Sequence, residues 1–334
     1  MSTRMIDAFP HIFPPAFWER LTTVNARYVG RANVQARPAL WDLDARFRIM
    51  DAHPGYVQVL TLSSPAIEEF ADRRGGMDLA RLANDGMADL VRRYPDRFLG
   101  FAAALYLEDV DASLREAERA MAELGALGVQ IYTTVNGRPM DDPRFEPLYA
   151  LLKRSGKTLW VHPTRPQSVP DYAGEADSKY GLFIKLGWPY ETALFMSRFI
   201  YSGIMERYPS LRVLTHHAGG FIPHVAGRLH LQHETPETRR EIGVDPKWDR
   251  DAVHAAYKRF YGDTVFSGMH HPLDCALAYF GTDHILFGTD MPWGAEGGAM
   301  FVRETIEAVR EAAPDDATRA ALFEANARRV LGLR

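Results

Sequence analysis

Hydrophobic positions along this chain fall into two alternating patterns. Short, nearly unbroken apolar runs such as VQVLTL at 57–62 and LRVLTH at 211–216 alternate with longer stretches whose apolar residues recur at three- and four-residue spacing. Unbroken runs are what parallel strands need when both faces are covered, and the longer spacing marks amphipathic helices. The pattern predicts eight strands: Met5 to His11, Tyr56 to Leu62, Phe98 to Ala103, Gly128 to Tyr132, Thr158 to His162, Arg212 to His216, Tyr261 to Val265 and His284 to Gly288. Between them it predicts helices over Leu79 to Tyr94, Ala112 to Leu124, Glu191 to Tyr208 and Phe221 to Gln232, with Gly125, Gly128 and Gly156 where helices should stop. Strands that alternate with helices build a parallel sheet, and eight such units close a (β/α)8 TIM barrel.

No internal repeat and no Gly-, Ser- or Pro-rich linker divides the sequence, so residues 1–334 read as one α/β domain. Two segments exceed an ordinary βα loop: Pro14 to Asp51 after the first strand, and Thr235 to Lys258 between the sixth and seventh. Insertions of that size in a barrel become lids, substrate walls or subunit contacts.

Composition narrows the function. With 46% hydrophobic and 25% charged residues the chain can bury a large core, which excludes a disordered protein. A net charge of -4, with Lys and Arg scattered, leaves no footprint for nucleic acid. Cys275 is the only cysteine, so a disulfide framework is excluded and a reducing cytoplasm is expected. The opening MSTRMIDAFPHIFPP lacks the apolar core of a signal peptide, and no run approaches the ~20 apolar residues of a membrane helix. The expectation is a soluble, unsecreted enzyme.

In such a barrel, chemistry comes from the C-terminal ends of the strands. Those ends carry His11, His162, the pair His216 and His217, and Asp290. Imidazole and carboxylate together suit zinc or a similar divalent ion, and three protein ligands plus water is a catalytic arrangement. His270 and His271, before Pro272, read as a solvated loop. Phe9, Phe13, Trp18, Trp41, Trp188, Tyr190 and Trp293 flank the strand ends or the insertions, and an aromatic mouth would suit a flat, conjugated substrate. Phe9, Trp188 and Trp293 are the candidate substrate contacts among them.

Longer blocks then carry a family resemblance. They are IDAFPHIFP (6–14), ALWD (39–42), RIMD followed by VQVL, YPDRFLGFAA from Tyr94, LGVQIYTTVNG (127–137), WVHP (160–163), PYETALFMSRFIYSGIMERYPSLRVLTHHAGG (189–220), PHVAGRL (223–229), FYGDT (260–264) and ILFGTDMPWG (285–294). In that order they resemble the aminocarboxymuconate-semialdehyde decarboxylase branch of the amidohydrolase-related proteins. The resemblance implies a barrel holding one divalent metal, zinc or manganese, ligated by His11, His162 and Asp290, with His217 as catalytic acid/base. It implies that Arg37 and Arg228 hold substrate carboxylates. Arg228 would reach into a neighbouring subunit's site, which implies a homodimer. His216, by strand alternation, is expected to point into the helix layer.

One position departs from the family. Its first strand carries His-x-His, and here the first of these is Phe9. Three readings stay open: a metal on three protein ligands with extra water, a replacement ligand such as Asp7, or a site without metal. The first is favoured, because three ligands with an open position make a working set. The expected activity is metal-dependent decarboxylation of an unsaturated or aromatic carboxylate. The alternatives are a hydrolase or hydratase using Asp290 as base, and a catalytically silent barrel that binds a small carboxylate.

Overall fold

In a computed structural model the chain is described over residues 4–333, so Met1 to Thr3 and Arg334, the ends of the expected domain, lie outside the described residues. Eight parallel strands form the sheet: β1 (Met5–Asp7), β2 (Tyr56–Leu62), β3 (Phe98–Ala104), β4 (Gly128–Tyr132), β5 (Thr158–His162), β6 (Arg212–Thr215), β7 (Tyr261–Asp263) and β8 (Ile285–Leu286). Each neighbours the next in sequence order. The ring closes through backbone bonds from Ala8 N–H to the Phe287 carbonyl at 2.8 Å and from His11 N–H to that of Met291 at 2.7 Å. This is the predicted (β/α)8 barrel.

The first strand is shorter than predicted. After Asp7 the backbone bends, and a second piece, His11–Ile12, pairs with Thr61 and Leu62 of β2. The Asp7 carboxylate captures the Phe9 N–H at 3.0 Å and Pro10 has no N–H to give, so the ladder cannot run through.

Two apolar layers follow from strand alternation. Ile6, Val57, Val59, Ala102, Trp160, Leu214 and Leu286 fill the barrel, while Leu60, Phe101, Val129, Leu159 and Val213 face the helices. Gly125 and Gly156 end helical segments at positive φ. Gly128, expected to do the same, instead opens β4: a Cβ there would lie 1.8 Å from the Thr158 carbonyl oxygen. It lets two strands approach rather than stopping a helix.

Helices span Arg73–Arg93, Val110–Ala122 and Trp188–Tyr201, close to expectation, although Gly203 at φ 80 separates the last from Ile204–Arg207. The expected helix over Phe221 to Gln232 is absent. Turns and a single short 3-10 segment, Ala226–Arg228, take its place, since Pro223 and Gly227 remove the propensity that the apolar spacing needs. His270 and His271, expected in a loop, are the first residues of helix His270–Phe280. Among the described residues no helix is long and apolar enough to cross a membrane.

The insertion after β1 holds helices Pro15–Val24 and Leu43–Asp51. Arg46, fully buried, fastens it to the barrel mouth. Its guanidinium donates to the carbonyls of His11 and Ala39 at 2.8 and 3.0 Å and to Gln58 Oε1 at 2.8 Å. A third long excursion, between His162 and the π-helical turn Phe183–Gly187, was not singled out in the sequence, yet it walls the cavity described below.

Candidate metal centre and active site

Alternation decides which strand-end residues enter the barrel. Trp160 of β5 and Leu214 of β6 are register partners and both belong to the interior cluster. Two residues further on, His162 and His216 therefore point inward. This corrects the expectation for His216, which was assigned the wrong phase. His217 escapes the alternation because its backbone is left-handed, at φ 55 and ψ 41, followed by Ala218 at φ 43. The kink turns His217 onto the cavity wall beside Asp290. Glycines at 219 and 220 continue the turn, and a Cβ on Gly220 would fall 2.1 Å from the Pro189 carbonyl oxygen.

Three imidazoles share one tethering scheme. His11 Nδ1 meets Thr61 Oγ1 at 3.0 Å, and that hydroxyl's own proton goes to the Pro10 carbonyl, so His11 Nδ1–H is the donor. His162 Nδ1 lies 2.7 Å from the Pro163 carbonyl, and His216 Nδ1 lies 2.6 Å from Asp263 Oδ2. Both acceptors lack protons, so both imidazoles carry theirs on Nδ1. With Nδ1 committed in this way, Nε2 is the nitrogen of each ring left for a metal, which would displace any proton held there against Asp290.

They converge on Asp290. Its Oδ1 lies 3.0 Å from His11 Nε2 and 3.5 Å from His216 Nε2. Both Nε2 atoms are buried and neither has a hydrogen-bond partner of ordinary geometry among the described residues. Orphaned buried nitrogens of this kind cost about 1–3 kcal/mol each unless something satisfies them. The nitrogens of His11, His162 and His216 lie within 4.8 Å of one another. One divalent ion, zinc or manganese, fits these donors.

Electrostatics agree with a site built for positive charge. Burial opposes ionisation of Asp290, but His11 and His216 overcome it and hold the carboxyl well below the usual range. Burial, then the charge of His216, pushes His162 far down and His217 down to about 3. Burial would also lower His216, yet Asp263 and Asp290 outweigh it and raise the imidazole to about 9.

Other expected residues scatter more. Asp7 is no replacement ligand: it accepts from the N–H groups of Phe9 and Thr289 and from the hydroxyls of Tyr56 and Thr289, which exhausts its oxygens. Burial raises it to about 6 against those bonds. Phe9, expected as a substrate contact, is fully buried against His216 and is not among the residues that line the cavity. Arg37 reaches the cavity, with Nε bonded to the Trp293 carbonyl at 2.8 Å and the guanidinium 5.5 Å from the Trp293 ring centroid. Trp188 and Trp293 line the same space, and the Trp188 ring meets His162 edge-on at 5.3 Å. Arg228 is exposed on its short 3-10 segment and stays outside this cavity.

The cavity measures about 860 Å³. Asp290, His162 and His217 form part of its wall, and Arg165 of the long excursion and Phe183 and Lys185 of the π-helical turn form another part. Sequence reasoning missed Asp263, which orients His216. The signal was present in FYGDT, where an acidic residue ends a strand next to the histidine strand. It also missed Thr61, hidden because a threonine in a strand reads as ordinary β propensity.

Comparison with known proteins fits this site. The amidohydrolase family model matches residues 6–333. The chain is 28% identical to a 2-amino-3-carboxymuconate-6-semialdehyde decarboxylase from Dictyostelium discoideum, over 88% of this chain and 77% of that protein. It is 31% identical to a gamma-resorcylate decarboxylase from Polaromonas sp., over 78% of this chain and 80% of that one. A solved dihydroxybenzoic acid decarboxylase from Polaromonas sp., with bound manganese and the inhibitor 2-nitroresorcinol, superposes with a TM-score of 0.78 at 25% identity, covering 99% of this chain and 97% of that one. The chain belongs to the amidohydrolase family, and over most of its length it is similar to decarboxylases of that family.

Proposed function

We propose that the chain, as one barrel domain over residues 1–334, removes carbon dioxide from a hydroxylated aromatic carboxylate or a similarly conjugated acid. The observation that carries this reading is the junction of His217 with the cationic, aromatic cavity directly above the histidine and Asp290 cluster. His11, His162 and Asp290 would hold the ion, zinc or manganese. When bound, it would supply a Lewis acid that orients and polarises a substrate oxygen.

The chain's own groups do the rest. Arg37 gives its Nε and Nη1 to the carbonyls of Trp293 and Asn33, which leaves Nη2 for a substrate carboxylate, and Trp188 Nε1–H, without a partner among the described residues, is a second donor. Trp188 and Trp293 hold the ring flat. His217 takes the proton of a substrate hydroxyl ortho to the carboxylate and delivers it to the carbon bearing that carboxylate. That carbon becomes tetrahedral, the C–C bond breaks, its electron pair returns to the ring, and carbon dioxide leaves. The product is a phenolate, so atoms and charge balance without a co-reactant.

Arg228 has no partner inside its own chain's cavity, and we assign it to the site of a second copy in a homodimer. The lone Cys275 suits a cytoplasmic enzyme. The test is carbon dioxide release from a panel of ortho-hydroxybenzoates by metal-replete and chelator-stripped protein. Release that needs the metal supports the reading. Hydrolysis of lactones or hydration of C=C bonds, with no carbon dioxide from any acid, overturns it.

A further inference from the structure

Phe9 removes an imidazole from the first strand, and the sixth strand offers one back. We infer that His216 is a resident metal ligand, completing a set of His11, His162, His216 and Asp290 in which it replaces the side chain that Phe9 cannot supply. The inference rests on the metal-dependent reading above.

Geometry supports it in three ways. First, Asp263 accepts the Nδ1 proton of His216 at 2.6 Å and is itself fixed by the N–H groups of Ala218 and Val265 at 3.2 and 3.1 Å. A carboxylate that orients a histidine in this way is the usual outer support of a metal-bound imidazole. Second, two bonds of about 2.05 Å at the tetrahedral angle place their donor atoms about 3.3 Å apart. The separations of Asp290 Oδ1 from His11 and His216, 3.0 and 3.5 Å, bracket that value. Third, His216 is 0% exposed and its Nε2 has no hydrogen-bond partner among the described residues, so a buried ring nitrogen is left facing Asp290 at the centre of the site.

Phe9 then has a task. Its ring lies against the face of His216, with centroids 4.2 Å apart and planes at 28°, and fills the space where a second first-strand imidazole would stand. His217 is the contrasting neighbour. Among the described residues no acceptor tethers its Nδ1, and it lines the cavity whereas His216 does not. A substrate carbon can meet His217 but cannot reach His216, which separates proton transfer from ligation on adjacent residues.

X-ray absorption at the zinc edge of the zinc-loaded wild-type protein counts imidazoles directly, and three are expected. Chelator competition should show that His216→Ala and His162→Ala each lose roughly 100-fold or more in zinc affinity, and Asp263→Asn about 10–100-fold. Visible absorption of the cobalt-substituted protein should change in the same variants. Two imidazoles, with wild-type affinity in His216→Ala but not in His162→Ala, would overturn the ligand role of His216 and leave the metal reading intact. Wild-type protein that retains no metal, or His162→Ala that binds like wild type, would overturn both. Circular dichroism checks folding, and if His216→Ala does not fold, the wild-type absorption count and Asp263→Asn decide.

Discussion

Phe9 stacks on His216 with ring centroids 4.2 Å apart, and both side chains are wholly buried. An apolar ring thus forms the floor beneath the converging imidazoles. Truncation to Phe9→Ala should cost about 3–5 kcal/mol in chemical denaturation, the range for emptying a packed aromatic site. A cost below about 1 kcal/mol would mean that the floor is not packed as described.

Arg46 ties the first insertion to the carbonyl of His11, and burial lowers its guanidinium to about 10. Arg46→Met keeps the volume but strands the carbonyls of His11 and Ala39 and the amide oxygen of Gln58. Each stranded buried group costs about 1–3 kcal/mol, so the variant should be destabilised by several kcal/mol. Metal affinity should fall with it, because the backbone of a ligand loses its brace. Unchanged affinity in a folded variant would show that the insertion does not position His11.

How much of this was legible beforehand follows from what each signal depends on. The eight strands were visible because burial on both faces writes an apolar run, and His11, His162 and Asp290 could be placed at the mouth from that alone. The phase of β6 was not visible: nothing local distinguishes His216 from His217, and the answer lies in the pairing of Leu214 with Trp160 more than fifty residues away. The left-handed turn at His217, which brings both histidines to the site, is likewise a tertiary outcome at a residue type that does not announce it. Phe9 could be read from the sequence as standing in the place of an imidazole, but its burial beneath the cluster depends on the bend after Asp7.

Glu68 gives a pH signature away from the site. Burial raises its carboxyl to about 7, although it accepts the Leu107 N–H at 2.6 Å. A raised folded-state value means that its contribution to stability is fully present below the unfolded value near 4.5 and is lost as pH rises through 7. Glu68→Gln keeps the acceptor and removes the charge. The variant should match wild type near pH 4.5 and exceed it by about 1–3 kcal/mol at pH 8. Thermal denaturation across that range checks this, and a constant difference at all pH values would contradict it.

His217→Asn should leave metal content and Tm nearly unchanged while lowering kcat by about 100- to 10,000-fold, the usual worth of a positioned acid/base. Metal analysis and steady-state kinetics on one preparation separate the two effects. Loss of metal together with activity would make His217 a ligand instead of a proton carrier.

The most direct measurement follows the carbon that loses the carboxylate. A carboxyl-labelled ortho-hydroxybenzoate that is turned over by the metal-replete protein in D2O should release labelled carbon dioxide. It should yield a phenol with one deuterium at that carbon, because the substrate hydroxyl and His217 exchange with D2O before the transfer. Both labels should appear at equal rates and vanish together when the metal is stripped. Labelled carbon retained in the product, with water added to the ring or to an ester, would contradict decarboxylation as the reaction of this site.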